Sequence, residues 1–84
     1  MPAVSDELLR LWGNNVRTFR RHHDIREGIP ERRGMQAMAD ELGVSKATVS
    51  KWETGKARPT DTHKVAIAEY LEVDVRALFP LVRS

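Results

Sequence analysis

The sequence predicts an all-α fold, one compact domain of five helices over residues 1–84 with two of the helices set at a tight corner. Three observations carry this expectation. Apolar residues recur at helical spacing in successive runs. Each run opens on a capping residue and closes on glycine or proline. The chain of 84 residues is about half of one typical domain and, at 40% hydrophobic and 31% charged, lies in the globular range, with room for one small module and no internal repeat.

The first helix starts at Ser5, an N-cap followed by Asp6 and Glu7 where the helix dipole favours acids. It is expected to run to about His23, with Leu8, Trp12, Val16 and Phe19 on one stripe. Residues 24–33, Asp-Ile-Arg-Glu-Gly-Ile-Pro-Glu-Arg-Arg, carry Gly28 and Pro30 without an apolar period and read as a long loop. A second helix follows from Gly34 or Met35 to Leu42, with Met35, Met38, Ala39 and Leu42 at i, i+3, i+4 and i+7, and Gly43 stops it. Ser45 caps the third helix, Lys46 to Thr54, while Val44 and Val49 are spaced for a hydrophobic staple that fixes its entry angle. Gly55 ends that helix, Lys56-Ala-Arg-Pro links onward, and Thr60 with Asp61 opens a fourth carrying Val65, Ile67, Ala68 and Leu71. Asp74 caps a last short turn, Val75 to Phe79, closed by Pro80.

Composition narrows the function classes. A chain this short has no room for a large enzyme fold with its own cleft. It has no cysteine, hence no disulfide and no thiolate zinc site, and oligomerisation is the remaining way for so small a core to gain stability. The longest apolar run, Ala77 to Val82, falls well short of the ~18 residues of a spanning helix, and the first residues lack a signal-peptide pattern. A cytoplasmic protein is expected. The net charge is +2 but unevenly placed: residues 10–33 carry seven arginines against Asp24, Glu27 and Glu31, and residues 45–59 carry four cations against Glu53. Two basic stretches in an otherwise balanced domain suit a polyanion, although a solvated surface produces such runs as well.

A helix, a glycine turn and a helix within residues 35–54 make a helix-turn-helix geometry. Ala39 is small where the two helices cross, Gly43 suits the sharp turn, and Val49 with Trp52 anchors the second helix on the core. Each of these is ordinary in a helical hairpin; the combined spacing is the signal. At the helical period Lys46, Ala47, Ser50 and Lys51 share an arc of ~140° opposite Val49 and Trp52, so that face looks outward. Two cations, a hydroxyl and a methyl, with no acid among them, suit guanine edges or phosphates, other base edges and a thymine methyl. A merely solvated face more often mixes Glu with Lys, so DNA reading is the preferred interpretation. Glu53 sits where the helix dipole disfavours an anion, and a cation from the first helix is expected beside it.

The run Ala39-Asp-Glu-Leu-Gly-Val-Ser-Lys-Ala-Thr-Val-Ser-Lys-Trp-Glu-Thr-Gly-Lys-Ala-Arg-Pro closely resembles the helix-turn-helix of the phage Cro and repressor (Xre-type) superfamily. The resemblance spans residues 11 to 79 and is most specific over 38 to 59. It implies a five-helix, lambda-repressor-like DNA-binding domain whose third helix lies in the major groove of double-stranded DNA. Lys46, Ala47, Ser50 and Lys51 would then face base edges, and Thr48, Lys56 and Arg58 would contact phosphates. In that family an arginine of the first helix pairs with the glutamate closing the third, which puts Arg20 opposite Glu53. The resemblance also implies a transcriptional regulator, more often a repressor, acting as a homodimer on a palindromic operator.

The chain departs from the family in three places. Gly34 and Met35 stand where the second helix usually opens on Thr-Gln, with Gln36 one position off. Lys64 stands where the fourth helix often has leucine. The link from the first helix to the second is longer than usual, and because loops tolerate insertions cheaply, Arg26 to Arg33 is expected to be a mobile solvated loop in preference to a contact with DNA flanks or a partner.

Val73, Val75, Leu78, Phe79, Leu81 and Val82 could furnish the dimer surface, unless Leu78 and Phe79 merely complete the monomer core. His22 and His23 beside Asp24 lack a ligand at i+4, so no metal is expected, and no cofactor either. The acidic pairs Asp6-Glu7 and Asp40-Glu41 are adjacent, not facing, and there is no nucleophile elbow, phosphate loop or catalytic cysteine; an enzyme is not expected. The alternative from another class is a protein-bridging interaction module, such as the antitoxin of a toxin pair, built on the same fold.

Overall fold

The computed structural model describes residues 4–81. Ser5 Oγ accepts from the Leu8 amide at 3.1 Å and opens α1, Asp6–Glu27. A single 3-10 turn, Glu31–Arg33, leads directly into α2, Gly34–Leu42. The chain continues through α3, Lys46–Glu53; α4, Asp61–Leu71; and α5, Val75–Leu78. Among the described residues there is no strand. Side-chain caps start three of the later helices: Ser45 Oγ accepts from the Thr48 amide at 3.1 Å, Thr60 Oγ1 from His63 at 3.1 Å, and Asp74 Oδ1 from Arg76 at 2.8 Å. Gly43, with φ 70°, turns the chain between α2 and α3, as the helix-turn-helix reading requires.

The predicted long loop over residues 24–33 is not there. Helix α1 gains its last turn from residues 24–27 and ends on Gly28, φ 70°, with the Ile29 amide bonded back to Asp24 O at 2.8 Å. Only Gly28–Pro30 remains irregular before the 3-10 turn. The apolar period stops at His23 because the helix goes on by burying polar groups: His23 is 6% and Asp24 3% exposed. Gly28, read as a loop residue, is the glycine that terminates the helix.

The core gathers Trp12 and Val16 of α1, Met38 and Ala39 of α2, Val49 and Trp52 of α3, Ile67 and Leu71 of α4, and Leu78. One expectation for the last third is corrected, and one left open is decided. Val65 is half exposed, and its neighbour Lys64 turns inward instead, with Nζ 4.3 Å from the Trp12 ring centroid and 5.7 Å from that of Phe79. A lysine can do this because its apolar stem packs while its charge faces an aromatic π-cloud. Of the two alternatives for Leu78 and Phe79, a dimer surface or the monomer core, the structure has the second, Phe79 standing edge-on to Trp12 at 5.7 Å. The same junction is tied by Trp12 Nε1, which donates to Pro80 O at 2.8 Å, and by Asn15 Nδ2, which donates to Leu78 O at 3.0 Å. Val73 and Val75 are half-buried and Leu81 is exposed, while Val82 lies outside the described residues.

Candidate nucleic-acid interface

Helix α3 is fixed from behind. Val49 and Trp52 are buried, and α1 crosses the end of α3 at backbone contact: a Cβ on Gly13 would fall 2.5 Å from Trp52 O and 2.6 Å from Glu53 O. Only glycine permits that approach. With its inner side so anchored, α3 turns Lys46, Ala47 and Lys51 to solvent and leaves Ser50 half-buried beside them. The Thr48 hydroxyl, 2.9 Å from that of Ser45, is half-buried at the helix start. Past the helix, the Lys56 and Ala57 amides both donate to Lys51 O, at 2.9 and 3.2 Å, so the link folds back on α3 and carries Lys56 and Arg58 exposed above a buried Pro59. The candidate base-reading and phosphate residues thus lie on one helix and the link tied to its last turn.

The single acid of α3 is kept off this face. Glu53 is 5% exposed and takes two hydrogen bonds from Arg20, Nε to Oε2 and Nη2 to Oε1, while the half-exposed Arg17 approaches Oε1 at 3.7 Å. Arg20 Nη1 donates to Asp24 Oδ2 at 3.0 Å, and His23 Nδ1 donates to Asp24 Oδ1 at 3.0 Å. The hydrogen bond to Glu53 raises the Arg20 guanidinium above its ordinary value and outweighs burial, which works the other way. The dipole argument calls for a cation of the first helix beside Glu53 and the resemblance implies Arg20 for it, but Asp24 and His23 were missed. Their available signal was the i, i+4 spacing of Arg20 and Asp24.

Gly34 is set against the same network. A Cβ there would meet Asp24 Oδ2 at 2.2 Å and Arg20 Nη1 at 2.4 Å, so a side chain such as threonine has no room while Asp24 is in the network. Gln36 is exposed, and its Nε2 donates to Asp40 Oδ1 at 2.7 Å.

Carboxylates collect elsewhere. Glu27, Glu41, Glu69 and Glu72 line a concavity of about 540 Å³ between α1, α2 and α4, together with His23 and Tyr70. Burial, with Asp24 and Glu41 adding to it, holds the Tyr70 hydroxyl above the usual tyrosine value. Among the described residues no cluster of His, Cys, Asp or Glu is placed to hold a metal ion, and no helix is long and apolar enough to cross a membrane.

A family model described as Helix-turn-helix matches residues 31–78, from the 3-10 turn through α5. No curated protein and no solved structure matches the chain.

Proposed function

The chain belongs to the Cro/repressor (Xre-type) helix-turn-helix family of DNA-binding domains, and from that premise we propose that it is a sequence-specific transcriptional repressor that reads duplex DNA with α3. One observation carries the reading. The outward arc of α3 holds Lys46, Ala47, Ser50 and Lys51 and no carboxylate, because the helix's one acid is turned inward and neutralised by Arg20. An arc of this kind fits base edges in the major groove, where Lys46 and Lys51 suit guanine acceptors, Ser50 several edges and Ala47 a thymine methyl. Thr48, Lys56 and Arg58 flank it and bear on phosphates, which set register and affinity but not sequence.

One module reads few bases, so the protein acts as a homodimer on a palindromic operator with half-sites ~34 Å apart. Val73, Val75 and Leu81 are the accessible apolar residues near the C-terminal turn that support this arrangement. A cytoplasmic location belongs to the same reading. Selection of bound duplexes from a random pool tests the reading. Enrichment of a two-fold-symmetric motif is the expected result, and a pool that stays random after repeated rounds refutes it.

A further inference from the structure

We propose that the concavity between α1, α2 and α4 binds a small linear polyamine. None of its lining residues lies on α3 or on the link after it, so the inference stands apart from the DNA reading.

The lining is acidic without compensation. Glu27 comes from the end of α1, Glu41 from α2, Glu69 from α4 and Glu72 from the residue that caps α4. Among the described residues none of the four has an ion-pair partner, and no lysine or arginine lines the space. Carboxylates gathered from separate elements repel one another until a cation lies among them.

A second, independent feature narrows the choice of cation. The His23 side chain is only 8% exposed, with Nδ1 donating to Asp24 Oδ1 and the Tyr70 ring packed against it at 4.5 Å between centroids. Its other nitrogen, Nε2, takes no hydrogen bond from or to the described residues. No sealed side-chain nitrogen or oxygen among them lacks a partner, so Nε2 opens into the concavity that His23 lines. With the Nδ1 proton committed to Asp24, Nε2 of the neutral ring is a lone pair and needs a donor. The ligand is therefore a cation that carries N–H groups. A metal ion does not meet the description, since no cluster among the described residues is placed to hold one. Carboxylates on three elements call for more than one positive charge, and Leu42 and Ala66 in the same lining offer apolar surface to methylenes between the charges. A volume of about 540 Å³ lies in the range of small-molecule pockets. Ammonium groups spaced along an alkyl chain satisfy each of these conditions.

The test titrates the full chain, free of DNA, with spermidine, 1,6-diaminohexane and hexamethonium by calorimetry, and follows the His23 and Tyr70 ring signals by NMR. Hexamethonium matches the diamine in charge and spacer but has no N–H. The diamine should bind at least about tenfold tighter than hexamethonium, because a hydrogen bond to a charged group is worth at least that ratio. Spermidine should shift the ring signals of His23 and of Tyr70, the chain's one tyrosine. Glu41→Gln/Glu69→Gln should weaken spermidine by about tenfold or more, each lost carboxylate removing a charge-assisted contact. Glu7→Gln/Glu31→Gln, which neutralises two exposed acids outside the concavity, should leave it unchanged. Equal affinity for the diamine and hexamethonium, an equal loss in the two double variants, or ring signals of the wild type that stay in place each overturn the assignment. Binding of a tetralysine peptide without binding of spermidine also overturns it, and gives the surface to a protein partner.

Discussion

The Arg20 guanidinium neutralises two carboxylates on different elements at once, giving Nε and Nη2 to Glu53 of α3 and Nη1 to Asp24 of its own helix. All three side chains are buried, and Arg20 is the one cation shared by both acids, with Arg17 3.7 Å from Glu53 and His23 hydrogen-bonded to Asp24 as lesser partners. Arg20→Ala should therefore cost more than Glu53→Ala, which leaves Arg20 paired to Asp24. Removing one member of a desolvated pair costs ~3–5 kcal/mol, and Glu53→Ala belongs at or below the lower end. Denaturant melts of both single variants and the double variant check this. Effects that simply add, or a costlier Glu53→Ala, would contradict the geometry.

Gly13→Ala and Gly34→Ala both place a good helix former in a helix, a change that in an open position gains up to ~1 kcal/mol. Both should destabilise instead. At position 13 the new methyl meets the backbone carbonyls of Trp52 and Glu53, which cannot move without shifting α3. At position 34 it meets the side-chain ends of Asp24 and Arg20, which can. Overpacking typically costs ~1–3 kcal/mol, and Gly13→Ala is predicted at the upper end and the worse of the two. Thermal melts showing either variant more stable than wild type would falsify the close approach.

Lys64 offers a separation of charge from packing. Lys64→Met keeps the apolar stem over Trp12 and gives up the cation–π contact, a loss of ~0.5–2 kcal/mol. Lys64→Ala gives up both, so the predicted order of stability is wild type, then Met, then Ala. Equal melting temperatures for the three proteins would place the ammonium in solvent, away from the ring.

Tyr70 is the chain's one tyrosine, so tyrosinate absorbance reports on it directly. Its midpoint should lie above the ordinary value of about 10, because burial and the acids around it oppose ionisation. The sign follows: the folded state holds the phenolic proton to higher pH than the unfolded chain. The contribution to stability is complete below the unfolded value and is lost as pH rises through the folded one. Tyr70→Phe should remove that alkaline loss. A midpoint at or below the ordinary value would contradict the environment described.

These sites also mark what a one-dimensional reading can reach. The N-caps at Ser5, Ser45, Thr60 and Asp74 were legible because each bonds an amide two or three residues ahead, a local interaction written in the local sequence. The outward arc of α3 was legible because Val49 and Trp52 fix its phase. The last turn of α1 was not. Asp24 looks like a surface acid until Arg20 and the missing side chain of Gly34 are brought to it, and Gly34 is ten positions away. Gly13 gave no sign of its role, since its neighbour is a backbone some forty residues on. Val65 was counted among the apolar residues of the fourth helix and is half exposed, while Lys64 packs inward, because apolar period cannot recognise a lysine that buries its stem.

The central claim, that α3 reads bases while the link after it holds phosphates, is tested most directly by binding of single alanine variants to a selected operator and its point variants at several salt concentrations. Lys46→Ala and Lys51→Ala are predicted to relax preference at particular base pairs, by ~1–3 kcal/mol for a good direct contact. Lys56→Ala and Arg58→Ala are predicted to weaken all sequences about equally and to lower the salt slope by ~1 each. If the two link variants reorder the operator variants while Lys46→Ala and Lys51→Ala leave the order untouched, the reading face is not the outward arc of α3.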